Sequence, residues 1–258
     1  MIARVTTLAL AALIAAAPPV AAERLVTTAS TSRVLIASNF TGAEVVLFGS
    51  VERDAQTVAR RGGYDIVVTV SGPRETIVTF RKQRVAGIWV NAESRTFVRV
   101  PSYLTVLANR PVTEIADVNT LRRNQVGLAR TLLPQEIGGD LADSIREDPF
   151  RLAFLRLKLE QKLYTEQQNG VTFLTPALFR AAIPIPDNAP TGSYEVDVKL
   201  FADGVMLART QTALEVVKVG FEQFIASAAR DHGILYGLAT SLLALLTGWF
   251  ASVVFRKD

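Results

Sequence analysis

Five cations close together in the chain are the residues whose types and spacing could do chemistry. Arg81, Lys82 and Arg84 fall at an expected hairpin, and Arg95 and Arg99 on the strand that follows. Guanidinium and ammonium groups donate charge-assisted hydrogen bonds, so this set could bind a small anion such as a sulfur oxyanion, or a lipid headgroup. The competing reading is an exposed turn solvated by water. Glu136, Asp140 and Asp143 could supply an acid–base pair, although surface helices ordinarily carry such carboxylates.

Other chemistry is restricted by what the chain lacks. It has no cysteine and a single histidine, His232. Thiolate catalysis, zinc–thiolate sites and iron–sulfur clusters are therefore excluded. Ser–His catalysis has no base before the C-terminal region. Oxygen-only calcium sites are left open, but no EF-hand loop, P-loop or dinucleotide fingerprint occurs. The expectation is a non-enzyme without catalytic residues, cofactor or metal. A pH-sensing His232 is the sharper reading of that residue, and a solvated interfacial histidine the commoner one.

Strands must position these cations. Tyr64–Val70 alternates, and Ala43–Phe48 is a nearly continuous apolar run. Arg33–Ile36, Thr76–Phe80, Val85–Val90, Thr96–Val100 and Leu104–Leu107 complete a first β region over residues 23–111. A second spans 170–219. There Tyr194, Val196, Val198 and Leu200 face one way, and Glu195, Asp197 and Lys199 the other. Asp203-Gly204 marks a tight hairpin. The second region has too few strands to close its own sandwich. One immunoglobulin-like sandwich drawn from both regions is expected, with two small β domains as the alternative. Trp89 reads as a core anchor.

Residues 112–169 read as a helical insertion. Asp148-Pro149 is a helix start, with Asp as N-cap and Pro at N1. The helix beyond it has two apolar sides. Phe150, Ala153, Phe154, Leu157 and Tyr164 form one; Leu152, Leu155, Leu159 and Leu163 form the other. Arg151, Lys158 and Lys162 run between them as a basic strip. Cover by a neighbouring insertion helix is the commoner solution, and a partner protein the alternative.

Two segments give an address. Arg4, the apolar run Leu8–Ala17 and the small residues Val20-Ala21-Ala22 form a secretory signal cleaved after Ala22. Ile234–Phe255 carries no charge and is about 33 Å long as a helix, enough to span a bilayer. Arg256 and Lys257 follow, so residues 256–258 should be a cytoplasmic tail and the β region should lie outside, in the periplasm. Residues 220–233 read as an amphipathic juxtamembrane helix. Gly233, Gly237, Ser241, Ala244, Gly248 and Ser252 place small residues at helix-packing spacing, or reflect ordinary span composition. Setting aside Arg4, Arg256, Lys257 and Asp258 leaves 25 of 28 basic and 23 of 24 acidic residues. A net +2 gives no footprint for nucleic acid. Asn39-Phe40-Thr41 matches a glycosylation sequon of no expected consequence in a bacterial chain.

Four stretches carry a resemblance: Ser38–Glu44, Val85–Asn91, Leu178-Phe179-Arg180 and Gly248–Arg256. On them the chain resembles a family of alphaproteobacterial transmembrane proteins. The resemblance implies one C-terminal span and little about activity. The resemblance also implies a gene of the kind often encoded beside sulfite-exporter-like permeases, and with it an inner-membrane permease, or another envelope protein, as partner besides the bilayer. The function expected is therefore a membrane-anchored periplasmic accessory protein, with a small-anion binding module as the alternative.

Overall fold

The computed structural model describes residues 23–37, 40–53, 63–137, 140–143, 148–220, 229–230 and 232–254. The expected signal peptide, most of the juxtamembrane helix, the tail and Asn39 of the sequon lie outside these residues.

Apolar–polar alternation builds most of the chain into strands. In order they are β1 (Arg24–Ala29), β2 (Arg33–Ile36), β3 (Ala43–Glu52), β4 (Asp65–Ser71), β5 (Arg74–Val85), β6 (Ile88–Pro101) and β7 (Leu104–Ala108). Then come β8 (Pro134–Ile137), β9 (Asp140–Asp143), β10 (Tyr164–Gln167), β11 (Val171–Phe173), β12 (Leu178–Ile185), β13 (Gly192–Ala202) and β14 (Val205–Lys218). One sheet has the order β1-β3-β12-β11 and the larger one β10-β7-β4-β13-β14-β2. Pairs within both are antiparallel except β10–β7 and β14–β2. The N-terminal strand thus starts in one sheet and crosses to the other, where β2 runs parallel to the last strand.

That order is the immunoglobulin arrangement, with β1-β3-β12-β11 as strands A, B, E and D and β4-β13-β14 as C, F and G. A second hallmark agrees. Tyr194, at the start of β13, donates its hydroxyl hydrogen bond to the Pro190 carbonyl at 2.6 Å, a tyrosine corner. Both β regions supply strands to both sheets. Asp203 and Gly204 take φ of 51° and 79°, the left-handed pair a two-residue turn needs.

The core lies between the sheets. Val45, Leu47, Phe179, Ala181 and Ile183 face Val68, Val70, Leu107, Val196 and Val198, all buried. Gly49 is required here: a Cβ would come within 2.2 Å of the Phe179 ring.

Between β4 and β7 the chain runs out into the β5–β6 hairpin, which with β8 and β9 forms a third sheet of order β5-β6-β8-β9. Its turn is Ala86-Gly87, with φ of 49° and 88°. Val85–Val90, expected as one strand, is therefore the hairpin tip, because both turn residues adopt the left-handed backbone that reverses the chain. Trp89, expected in the core, is 69% exposed there. Among the described residues the tip has neighbours on its own two strands only, and none of them covers the indole.

The insertion is only partly helical. It holds α1 (Val112–Ile115), α2 (Val118–Arg123), a 3-10 turn at Leu128–Arg130 and α3 (Pro149–Glu160), together with β8, β9 and β10. Asp148 caps α3 by accepting from the Arg151 amide at 3.0 Å. The helix ends at Glu160, so Tyr164 belongs to β10. Phe154 stacks on Phe97 at 4.5 Å and meets Tyr164 edge-on at 5.9 Å. Arg151 and Lys158 of the basic strip are buried with that side. Arg151 donates to the Thr131 carbonyl at 2.7 Å, and Lys158 to Glu75 at 3.0 Å and the Ser102 carbonyl at 3.3 Å. The opposite side is only partly covered: Leu163 is buried and Leu155 packs against the core, while Leu152 and Leu159 are 53% and 47% exposed. No helix covers them among the described residues.

The last element, α4 (Gly233–Val254), contains Gly233–Ser252, a stretch of mean hydropathy 1.7 that is long and apolar enough to cross a membrane.

Candidate functional site

The five hairpin cations do not converge. Arg81 pairs with Glu93 across the strands at 3.4 Å, both exposed. Arg84 turns back to the Gly87 carbonyl at 3.3 Å, and Lys82 sits opposite Asn91. Arg95 lies over the Phe150 ring at 5.1 Å. Arg99 has φ 52° and its carbonyl accepts from Arg74 at 3.2 Å. The set is thus strung along the hairpin rather than gathered in one pocket. Glu136 lies exposed on β8, opposite Thr96, and Asp140 and Asp143 have backbones in β9.

A different set of cations does converge, on the outer face of the larger sheet. Alternation along β13 sends Glu195, Asp197 and Lys199 away from the sandwich core. The register sets Asp197 opposite Thr69 of β4 and Lys199 opposite Arg209 of β14. Two cations directly opposed repel. One carboxylate relieves that: Asp197 accepts from Lys199 Nζ at 2.6 Å and from Arg209 Nε at 2.7 Å. The hydrogen bond that Arg209 donates to Asp197 is also the main reason its guanidinium is held more basic than usual.

Over this face lies the segment from Asp117 to Leu132. Asp117 caps α2 by accepting from the Asn119 and Thr120 amides at 2.9 and 3.2 Å. A hydrogen bond from the Thr120 side chain first, and these amide bonds after it, lower the carboxyl pKa. The helix closes in a Schellman motif: Val126 N–H reaches the Leu121 carbonyl at 2.9 Å and Gln125 N–H the Arg122 carbonyl at 3.1 Å. Gln125 takes the left-handed position with φ 52°. Leu121 and Val126 are buried beneath, which fixes this cover to the sheet.

Sheet and cover enclose a cleft of about 290 Å³. That is the low end for an organic ligand and ample for a small ion with some water, at roughly 30 Å³ per water. Its charged lining is Arg74, Arg123, Lys199 and Arg209 against Glu195 and Asp197, a surplus of two positive charges. Both carboxylates are engaged, Asp197 as above and Glu195 by Gln211 at 2.6 Å. The Arg209 terminal nitrogens are free to donate among the described residues. Thr69, 8% exposed, lines the same cleft, and its buried Oγ1 has no hydrogen-bond partner among the described residues. A cationic cleft with an unused hydroxyl can hold a small anion.

The small residues of α4 lie on one stripe about 100° wide at 100° per residue. A Cβ at Gly233, Gly237 or Gly248 would meet nothing within 4 Å, so no described part of this chain packs on that stripe.

Reading the residues alone missed the cleft. The signal present was the acid–base alternation Glu195-Asp197-Lys199 with Arg209 on the return strand of the Asp203-Gly204 hairpin. A register shift at Leu200/Phe201 upsets simple counting from the turn, and the cover comes from residues distant in the chain.

No curated protein matches the chain. The model of the family described as Putative transmembrane protein (Alph_Pro_TM) matches residues 24–257, in keeping with the β-rich domain and the single apolar C-terminal helix, and the chain belongs to that family.

Proposed function

We propose that this protein is a membrane-tethered binding module for a small inorganic anion of the sulfur-oxyanion or phosphate type. The observation that carries it is the cleft of Lys199, Arg209 and Thr69 on the outer sheet face. Two buried or half-buried cations share one carboxylate, and beside them lies a buried hydroxyl that has no hydrogen-bond partner among the described residues. Binding is the role that goes with this arrangement, since both carboxylates in the cleft are held by neighbouring donors and the cations are left in surplus. The placement that goes with this reading is the bacterial inner membrane. The signal-like N-terminus and the Arg256-Lys257 tail support a β domain in the periplasm and a cytoplasmic C-terminus.

Calorimetry on the full mature chain in detergent, with sulfite, sulfate and phosphate in turn, tests the reading. At least one should give saturable heat that Arg209→Gln reduces. No heat from any of the three, or heat unchanged by that substitution, defeats it.

A second reading, an accessory protein for an inner-membrane permease, is favoured by the partly covered side of α3. Leu152 and Leu159 are exposed at i and i+7 with nothing described over them. Crosslinking from Leu159 in native membranes should then recover a membrane partner; intrachain products alone would remove it.

A further inference from the structure

The β5–β6 hairpin is the part of the molecule for which neither the sandwich nor the cleft accounts. β6 pairs with β8 only at Thr96 and Phe97. Beyond Thr79 and Arg95 the two strands run on with no other strand beside them among the described residues, for roughly 20 Å at 3.3 Å per residue. A projecting ribbon ordinarily carries polar side chains on both faces. This one carries Phe80, Val85, Ile88 and Trp89, each at least half exposed.

The register sorts them. Arg84 lies opposite Trp89 and Lys82 opposite Asn91, so Lys82, Arg84, Phe80 and Trp89 share one face. Val85 and Ile88 pair across the turn on the other. The free length therefore ends in an apolar tip backed by Arg81, Lys82 and Arg84, with Glu93 the only acid on the stretch. Aromatic and aliphatic side chains at an end, with cations set just behind them, suit the boundary between acyl chains and anionic headgroups. A second copy fits worse, because two such tips would oppose like charges.

The chain itself keeps a bilayer within reach. Only residues 219–232 separate β14 from α4. Fully extended, they span at most about 50 Å. A tethered tip meets the surface at high effective concentration, so weak intrinsic affinity suffices.

We infer that the tip of the β5–β6 hairpin inserts into the interface of an anionic phospholipid bilayer, giving the domain a second contact with the membrane that α4 crosses. This goes beyond the anion cleft, which meets the hairpin only at its base, through Arg74 and Pro101, and is not needed for it.

Two tryptophans make the test direct. Trp249→Phe in the full chain leaves Trp89 as the only reporter. The variant is reconstituted into vesicles of equal parts phosphatidylcholine and phosphatidylglycerol, with and without brominated acyl chains. Trp89 emission should be blue-shifted and quenched by the brominated lipid, and Lys82→Gln with Arg84→Gln should relieve the quenching. Trp89→Phe, which retains Trp249 in the span, should be quenched throughout and so reports successful reconstitution. Emission from Trp89 that ignores brominated lipid overturns the inference. So does quenching of equal size in phosphatidylcholine alone, or a blue shift in detergent that grows with protein concentration, which would indicate a second copy.

Discussion

Replacing Thr69 by valine separates a binding hydroxyl from a structural one. Thr69 Oγ1 is buried on β4 without a partner among the described residues. Burying such a hydroxyl unsatisfied costs roughly 1–3 kcal/mol. Valine has the same shape and a higher strand preference, so it removes the cost without leaving a void. Thr69→Val should therefore stabilise the ligand-free domain by about 1 kcal/mol, a rise of roughly 2–4 °C in Tm for a domain of this size. The same change removes a hydrogen bond to a charged ligand, worth roughly 1.5–3 kcal/mol. Anion affinity should fall about ten-fold or more. Thermal melts of wild type and variant, each with and without saturating anion, read both effects. Wild type should gain more from the anion than the variant does. A variant that melts lower without ligand would show that the hydroxyl already has a partner. A variant that binds as tightly as wild type would show that the hydroxyl is not part of a site.

Three further outcomes follow from the packing. Gly49→Ala drives a Cβ into the Phe179 ring at 2.2 Å, and should cost about 1–3 kcal/mol, read as a lower denaturation midpoint. Asp148→Ala removes the N-cap of α3 and the acceptor for Gln135 at 3.0 Å, and should cost about 1 kcal/mol by the same measurement. Burial raises the phenols of Tyr103, Tyr164 and Tyr194, that of Tyr103 to about 12. A raised phenol favours the fold fully while the unfolded phenol stays neutral, and that contribution is lost as pH rises past about 10. Phenolate absorbance followed together with circular dichroism should show these three ionising only as the domain unfolds; complete titration with the fold intact would contradict this.

How much of this was legible depended on whether the determining contacts are local. Tyr194–Leu200 alternates strictly and Asp203-Gly204 is a turn dipeptide, so the last hairpin could be read residue by residue. The apolar span at the C-terminus was equally plain, since length and absence of charge are composition rather than packing. Periodicity names faces but not what covers them. Gly87-Ile88-Trp89-Val90 has the composition of a core strand, yet the left-handed Ala86 and Gly87 put it at a free end. Arg151 and Lys158 read as part of a basic strip on the α3 wheel. Their burial depends on the Thr131 and Ser102 carbonyls and on Glu75, none of them near in sequence. The cleft was hidden for the same reason: Asp197 and Lys199 become a site only because Asp117–Leu132 closes over them.

The most direct measurement is a crystal of the protein soaked in selenate, with the anomalous signal located. An anomalous peak inside the cleft, within hydrogen-bonding distance of the Arg209 terminal nitrogens and Thr69 Oγ1, is the predicted result. A clear map with the cleft empty, or with selenate only on the arginines of the β5–β6 hairpin, would contradict the account.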